Sequence, residues 1–424
     1  MKKHLKTMIQ AIRGMKDLYG LDLAKYDYLT AKMRAVGAKY GYSMIHTPIL
    51  ESTDVFQRSI GNETDIVSKE MYTFMDKGGN SVTLRPEGTA GVIRALVNEN
   101  MCQCLPIKLM YCGEMFRYDR PQKGRLRQFH QFGFEYIGDK SPYVDGIMIA
   151  MASEILQTVG IFDFKILMNS LGDSKSREAY IKAIVKYLSR YEDKLSNDSK
   201  VRLNKNPLRI LDSKDSADIE ICSMAPNISD YLNKESSSYF RKVCEILTEY
   251  GVRYEVDEFL VRGLDYYTHT AFEIKSTSKE YGDSLGGGGR YDKLLSIFGG
   301  PDVSGIGFAL GMERLMMIFN DNGMFKEKGK VAVIPVSDAE VNDAFKLFRR
   351  LQENDIRTEF IHTDKLSKKM RTADKLNCKI ALILGEQECK DNTITVKFMQ
   401  ETEELLKTKT IAYSEVLRFL KYIQ

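Results

Sequence analysis

Two strand-like stretches, Ile107 to Cys112 and Gln128 to Ile137, flank a basic, turn-rich segment from Arg117 to Arg127, and no other part of the chain constrains the fold so tightly. They read as an antiparallel pair joined by a long charged loop. In the second strand the period of two puts Gln131, Gly133 and Glu135 on one face and His130, Phe132 and Phe134 on the other. An amide and a carboxylate beside a glycine suit the floor of a polar pocket for an amine or imidazole; a solvent-facing strand edge would read the same way. Phe116, Arg117, Tyr118, Asp119 and Arg120, with Arg125, Arg127 and Phe129, crowd guanidinium groups and rings around the loop. Guanidinium forks grip phosphate oxygens and a ring stacks on adenine, although a solvated basic loop has the same composition.

Around this pair the chain reads as an α+β unit. Leu29, Met33, Val36 and Tyr40 recur at helical spacing in Ala24 to Tyr40, Gly41 stops the helix, and the short strand Tyr42 to Thr47 ends at Pro48. Glu70 to Phe74 and Ser81 to Leu84 form a hairpin about Lys77 to Asn80 and lead into Arg85, Pro86, Glu87, Gly88 and Thr89. From about Ile166 to Tyr250 polar residues dominate, and helical spacing in Ala179 to Leu188 predicts a mostly helical insertion, about 170–250.

The β-rich pattern resumes at Val256. Within Leu260 to Ile274, Arg262 stands near Asp265, Tyr266 and Tyr267; a buried arginine there needs a partner, either Asp265 or a substrate carboxylate or phosphate. Gly286 to Gly289, ahead of Arg290 and Tyr291, permits close backbone approach to a ligand or simply a tight turn, and matches neither the P-loop nor the dinucleotide fingerprint. Gly305 to Gly311 is a glycine-rich strand entering a helix whose first turn carries Arg314, placed to reach a triphosphate or to pair with Glu313 or a nearby acid. Asn320 to Lys330 reads as a linker. Beyond it strands (Val331 to Val336, Arg357 to Ile361, Lys379 to Leu384, Thr393 to Phe398) alternate with helices (Ala339 to Gln352, Leu366 to Lys375 and a last one), which predicts a small α/β domain over 331–424 after a first domain over 1–325.

Composition excludes several classes. With 62 Lys plus Arg against 58 Asp plus Glu, the net charge of +4 leaves any nucleic acid to be met by local basic patches. Seven cysteines are odd in number and show no paired metal-ligand spacing, so neither a disulfide framework nor a metal site is expected. The basic start lacks the continuous apolar stretch of a signal peptide, and no window approaches the ~18 apolar residues of a membrane span. A cytoplasmic protein with no membrane partner is the expectation.

Taken in order, these segments resemble the signature motifs of class II aminoacyl-tRNA synthetases: helix, strand and Pro48 motif 1, Phe116-Arg117 through Glu135 motif 2, and Gly305 to Arg314 motif 3. Leu260-Val-Arg-Gly-Leu-Asp-Tyr-Tyr-Thr268 and Gly288-Gly-Arg-Tyr-Asp292 are similar to the two histidine-specific signatures of the histidyl-tRNA synthetase family. Arg13-Gly14, Leu84-Arg-Pro-Glu-Gly-Thr-Ala90, Arg120-Pro-Gln-Lys-Gly-Arg125 and Asn206-Pro-Leu-Arg-Ile-Leu-Asp212 extend the likeness over nearly the whole chain, in the bacterial arrangement. The resemblance implies a class II catalytic domain with a mainly antiparallel sheet flanked by helices, a helical insertion, and a C-terminal α/β anticodon-binding domain from about Val331. It also implies a homodimer built through motif 1, whose substrates are L-histidine, ATP with Mg2+, and tRNA(His).

By the same resemblance Glu87, Thr89 and Gln131 hold the histidine amino group, with Gly88 beside them, while Glu135 and Tyr267 read the imidazole and Tyr266 and Tyr291 line the pocket. Arg117 and Arg314 bind ATP phosphates, Arg125 and Phe129 belong to the ATP site with Phe129 stacked near adenine, and Arg262 contacts the carboxylate and α-phosphate. Arg262, Arg117 and Arg314 are the catalytic set, and Arg117 also counts among the histidine contacts. Gln122 and Arg125 meet the tRNA acceptor end. His269 departs from the family pattern and has no assigned role. One competing class stays open, a non-charging, synthetase-like regulatory subunit of ATP phosphoribosyltransferase; such proteins typically lack the anticodon domain and carry degraded histidine signatures, and this chain keeps both.

Overall fold

The computed structural model describes residues 9–61, 64–261, 264, 266–279, 281–325, 329–399 and 408–423. Its chain separates into two compact units, Met1–Asn322 and Gly323–Gln424, at the composition change expected for a linker.

The first unit contains strands β1 (Ser43–Met44), β2 (Leu50–Ser52), β3 (Tyr72–Met75), β4 (Ser81–Leu84), β5 (Ile107–Phe116), β6 (Gln128–Ile137), β7 (Phe164–Ser170), β8 (Glu255–Val256), β9 (Thr268–Ser276), β10 (Ser284–Tyr291) and β11 (Gly305–Gly311). Eight of them form one sheet in the order β1-β5-β6-β11-β10-β9-β7-β8. Its interior neighbours are all antiparallel, and only the short edge strands β1 and β8 pair in parallel. Strands β2, β4 and β3 make a small antiparallel sheet.

The alternation in β6 decides which face is core. Phe134 stacks on Phe132 and Phe308 and meets Tyr42 edge-on. The helix Gly20–Lys39 lies over that face, burying Leu29, Met33 and Val36 and bringing Gly37 so close that a Cβ there would stand 2.7 Å from the Phe134 ring. With the phenyl face sealed, Gln131, Gly133 and Glu135 are left to the opposite side. The helix Pro142–Thr158, with proline in its first turn and Ser141 accepting a hydrogen bond from the Tyr143 amide, packs between the sheet and the helix Lys234–Glu249.

Several expectations are corrected. Strand β5 runs to Phe116, past Cys112, because Gly113 and Glu114 interrupt the apolar pattern without interrupting the ladder, which continues to Phe116 opposite Gln128. The glycine run is the middle of strand β10, paired on both edges, and a side chain at Gly288 would collide with the Gly307 carbonyl. The helical insertion is narrower than 170–250. Strand β7 at its start belongs to the central sheet, and Lys234–Glu249 packs on the sheet's own helix. Between them, Tyr180, Ile184, Leu188, Leu203, Leu208 and Ile210 build a separate small core. Helices Thr53–Ile60, Thr89–Asn98 and Pro142–Thr158 are additions to the sequence reading.

The second unit is a five-stranded sheet of β12 (Lys330–Pro335), β13 (Thr358–Phe360), β14 (Cys378–Leu384), β15 (Thr393–Phe398) and β16 (Thr408–Ala412), in the order β13-β12-β14-β15-β16. The first three are parallel and the last two antiparallel. Alternation along β12 sends Val331 and Val333 to a core with Leu347, Leu351 and Leu420, and Ala332 and Ile334 to one with Ala373, so helices cover both faces. Strand β16 comes before the last helix, Val416–Ile423, where the sequence had suggested the helix alone. Among the described residues no helix is long and apolar enough to cross a membrane.

Candidate active site

In the first unit a cavity of about 740 Å³ opens over the polar face of β6, β11 and β10. Its floor is built around Glu135, which is fully buried. One carboxyl oxygen accepts a hydrogen bond from the Thr89 hydroxyl and the other from the Tyr291 hydroxyl, both at 2.6 Å. Burial, helped by the Glu87 charge, drives its pKa up to about 8 against the opposing pull of those two donors and of the Tyr111 hydroxyl. Two glycines of β11 make the arrangement possible, since a Cβ at Gly307 would run into the Glu135 carboxyl and one at Gly305 into the Tyr291 ring.

Glu87 closes the adjoining wall. Its carboxylate takes the amides of Thr89 at 2.7 Å and Ala90 at 2.8 Å, so it caps the helix Thr89–Asn98 from the preceding turn. Burial raises its pKa, and those amides and the Arg117 charge counter the rise. Gly88 lies between Glu87 and Thr89 with the Tyr111 ring pressed against it. Gln131 lines the cavity with a buried, unbonded Oε1. Tyr266 packs on Tyr267 and Tyr291, with ring centroids 4.6 and 5.8 Å apart.

The cavity's other end is cationic. Arg117 donates from Nε to the Pro86 carbonyl at 2.8 Å and sits over the Phe129 ring, 5.4 Å from its centroid. Burial lowers the Arg117 pKa and nearby Arg314 adds to the lowering, so two guanidinium charges share this space, an arrangement that favours an anion between them. Arg314 donates to the carbonyls of Ser284 at 2.7 Å and Gly124 at 3.2 Å, tying β10 and the motif 2 loop together. The alternative of an Arg314–Glu313 pair is not what forms. Glu313 instead takes the amide of His130 at 3.0 Å and its Nδ1 at 2.7 Å. Arg125 lies between Asp119 at 3.6 Å and Asp283 at 3.7 Å, and its backbone bridges to Gln122 at the loop tip.

Of the residues expected from sequence, Glu87, Thr89, Arg117, Arg125, Phe129, Gln131, Tyr266, Tyr267, Tyr291 and Arg314 line this one cavity, and Glu135 lies beneath it. Gly88 is within the wall, and Gln122 stands on the loop away from the cavity lining. Arg262, with its suggested partner Asp265, falls outside the described residues. Arg290 is wholly internal. It is 1% exposed and bound through Nε and Nη2 to Asp145 of the helix Pro142–Thr158. His269 adopts φ +44° and stands 3.7 Å from Asp292, which also accepts from Thr268.

Two parts of the site had no role assigned from sequence, although Arg209 falls within the Asn206 to Asp212 likeness. Tyr111 reads as one more apolar strand residue until the register sets it opposite Gly133. The insertion supplies a wall of the cavity, including Ser196, Arg202, Arg209 and Lys214, and Arg202 and Arg209 reach Asp65 at 3.2 and 3.7 Å.

Comparison with known proteins bears on all of this. The family model described as histidyl-tRNA synthetase matches residues 14–315, and the model described as anticodon binding domain matches residues 330–423. A histidine-tRNA ligase of Rhodospirillum rubrum is 42% identical over 413 residues, 97% of this chain and 98% of the relative. The crystal structure of apo Staphylococcus aureus histidyl-tRNA synthetase superposes with a TM-score of 0.77 at 37% identity, covering 98% of this chain and 100% of that one. A Bacillus halodurans structure, described as an ATP phosphoribosyltransferase regulatory subunit/histidyl-tRNA synthetase, shares the fold with a TM-score of 0.64 at 24% identity, over 89% of this chain and 98% of its own.

Proposed function

The chain belongs to the histidyl-tRNA synthetase family, and on that premise we propose how its cavity carries out the ligation of histidine to tRNA. The protein is a histidine-tRNA ligase: it activates histidine with ATP and transfers it to tRNA. The regulatory-subunit reading is less supported, because the full-length relative at 42% identity is a ligase and the anticodon binding domain is present.

The observation that carries the site assignment is Glu135, a fully buried carboxyl beneath the floor of a cavity with cationic groups at its other end. Thr89 and Tyr291 each donate to one of its oxygens, and each oxygen keeps a second lone pair for an imidazole N–H. Histidine lies with its ring between Glu135 and Tyr267, its flanks against Tyr266 and Tyr291, and its amino group toward Glu87, Thr89 and Gln131. ATP places its adenine near Phe129 and its phosphates against Arg117, Arg125 and Arg314. Magnesium would come with ATP as part of that substrate and would supply neutralisation of its phosphate charge.

In the first step a histidine carboxylate oxygen attacks the α-phosphorus, and the bond to the leaving pyrophosphate breaks. Charge builds on the phosphoryl oxygens, and guanidinium groups fixed beforehand by backbone carbonyls stabilise it without reorganising. Arg117 and Arg314 are held in that way, and Arg262 is assigned the same work at the reacting oxygens. No side chain acts as a nucleophile. In the second step a terminal ribose hydroxyl of tRNA attacks the activated carbonyl and AMP leaves, with Gln122 and Arg125 meeting the acceptor end and the second unit reading the anticodon. The protein works as a homodimer in the cytoplasm; Ile49, Leu50, Phe74 and Met75, in or beside the small sheet, present exposed apolar surface that a second copy would cover.

Pyrophosphate exchange tests the assignment. Histidine alone among the amino acids supports exchange. Arg117→Lys, which keeps the charge and loses the fork, lowers it by roughly a hundredfold. Wild-type exchange in that variant would remove Arg117 from the phosphate site, and sedimentation as a monomer would remove the dimer.

A further inference from the structure

The ladder between β9 and β10 runs evenly from Ile274 opposite Gly286 to Ala271 opposite Gly289, then jumps to Thr268 opposite Arg290. His269 and Thr270 are therefore surplus on the β10 side, a bulge that His269 accommodates with φ +44°. The other edge of β9 holds the bulge in place. The His269 amide donates to the Gly172 carbonyl at 2.9 Å, and the His269 carbonyl accepts from the Leu171 amide at 2.6 Å. Had the register continued evenly, His269 would stand opposite Tyr291. The bulge advances the chain by two residues, so that Tyr266 arrives in edge contact with Tyr291 and Tyr267 packs on Tyr266. Tyr267 also lies against Gly289, where a Cβ would stand 2.8 Å from its ring.

Alternation along β10 sorts the neighbours by face. Tyr291 points to the cavity, where its hydroxyl bonds Glu135, while Arg290 points the other way, to Asp145. Asp292 returns to the Arg290 side, with its Oδ1 3.6 Å from the guanidinium. Thr268, opposite Arg290, donates its hydroxyl to Asp292 Oδ2 at 3.0 Å. Tyr267 and Tyr291 line the cavity, and Thr268 and Asp292 do not. Each of these two nevertheless adjoins a cavity tyrosine in the chain. Arg290 opposite Thr268 is the last rung of the ladder, and past it the Thr268–Asp292 bond ties the two chains together. A charged acceptor makes that bond stronger than one between neutral groups, and Arg290, itself fixed to Asp145, orients the acceptor. Arg177, from the helix Ser174–Leu188 of the insertion, donates to the Tyr267 carbonyl at 3.3 Å and steadies the same segment.

We infer that Thr268 and Asp292 are positioning residues for histidine recognition. Their hydrogen bond, behind the sheet, fixes the separation of Tyr267 from Tyr291 and, through Tyr291, the aim of the Glu135 carboxyl. Neither residue touches the substrate; both act through the rings that flank it. The inference rests on reading the cavity as the histidine site.

The test is pyrophosphate exchange by the full-length protein. Thr268→Val keeps the shape of the side chain and removes its donor, and the KM for histidine rises roughly tenfold, the worth of one hydrogen bond to a charged group. The kcat and the KM for ATP stay at their wild-type values. Thr268→Ser restores the donor and returns the histidine KM to that of the wild type. Asp292→Ala, which leaves Arg290 paired with Asp145, raises the histidine KM by the same factor, and the double variant Thr268→Val/Asp292→Ala is no worse than either single one. A lowered thermal midpoint with unchanged histidine KM in both single variants would make the bond merely structural and overturn the inference, as would additive effects or failure of serine to rescue. A raised histidine KM in Glu135→Gln alongside that result would leave the site assignment standing. Unchanged histidine KM in Glu135→Gln as well would bring down the site assignment and the inference with it.

Discussion

Replacing Gly307 with alanine puts one methyl group where the Glu135 carboxyl now lies. The carboxyl cannot step aside cheaply, because Thr89 and Tyr291 hold its two oxygens and the Phe134 carbonyl stands 2.8 Å from the new Cβ on the other side. Forcing a methyl into such a space costs roughly 1–3 kcal/mol. Turning Glu135 away strands two buried hydroxyl donors, at roughly 1–3 kcal/mol each. Added together at their lower bounds these come to about 3 kcal/mol, a fall of roughly 5 °C in the thermal midpoint for a unit of this size. Histidine binding suffers separately, since the displaced carboxyl no longer meets the imidazole, and the KM in pyrophosphate exchange rises by at least about tenfold while ATP binding persists. Gly282→Ala is the control, because the nearest atom to its Cβ would be 3.9 Å away, and it is expected to be neutral. A Gly307→Ala protein with wild-type midpoint and wild-type histidine KM would refute the claim that Glu135 is locked in place by its glycine neighbour.

Other perturbations test other parts of the fold. Glu135 titrates near pH 8 in the folded protein against an ordinary value of 4.5, so between those values the native state binds the extra proton and stability declines as pH rises. The thermal midpoint of the wild type, measured against Glu135→Gln from pH 5 to 8, shows that slope, and identical profiles would contradict it. Burial alone would lower the His130 pKa, but its bond to Glu313 and the charges of Glu313 and Glu114 outweigh burial and raise it. The pair's contribution is full below the ordinary histidine value and is lost as pH rises through the folded one; Glu313→Gln should shift the His130 ring-proton titration downward by NMR, and no shift would argue against the coupling. Arg290→Met leaves Asp145 buried and unpaired, at about 3–5 kcal/mol, and adding Asp145→Leu recovers much of the loss in thermal midpoint; equal damage in single and double variants would show that the charges are not what matters there.

The sequence alone was enough for the antiparallel core and for the polarity of its faces. Alternation in Gln128 to Ile137 is local information, and the structure keeps it, with Phe134 under the helix Gly20–Lys39 and Glu135 toward the cavity. The strand and helix alternation beyond Val331 was legible for the same reason. Where polar and apolar signals mixed, local reading ran short: β5 extends through Gly113 and Glu114, and β7 looked like part of the insertion although it pairs with β9 in the central sheet.

Tertiary structure alone decided which glycines serve which side chains. The runs at Gly286 to Gly289 and Gly305 to Gly311 carry no mark of their partners until β10, β11 and β6 pair, and then Gly307 becomes the space for Glu135, Gly305 for Tyr291 and Gly133 for Tyr111. The same pairing buries Arg290 against Asp145 while its neighbour Tyr291 enters the site. A residue's periodicity records its own face, whereas the volume and hydrogen bonds it meets belong to residues far away in the chain, and only folding brings those together.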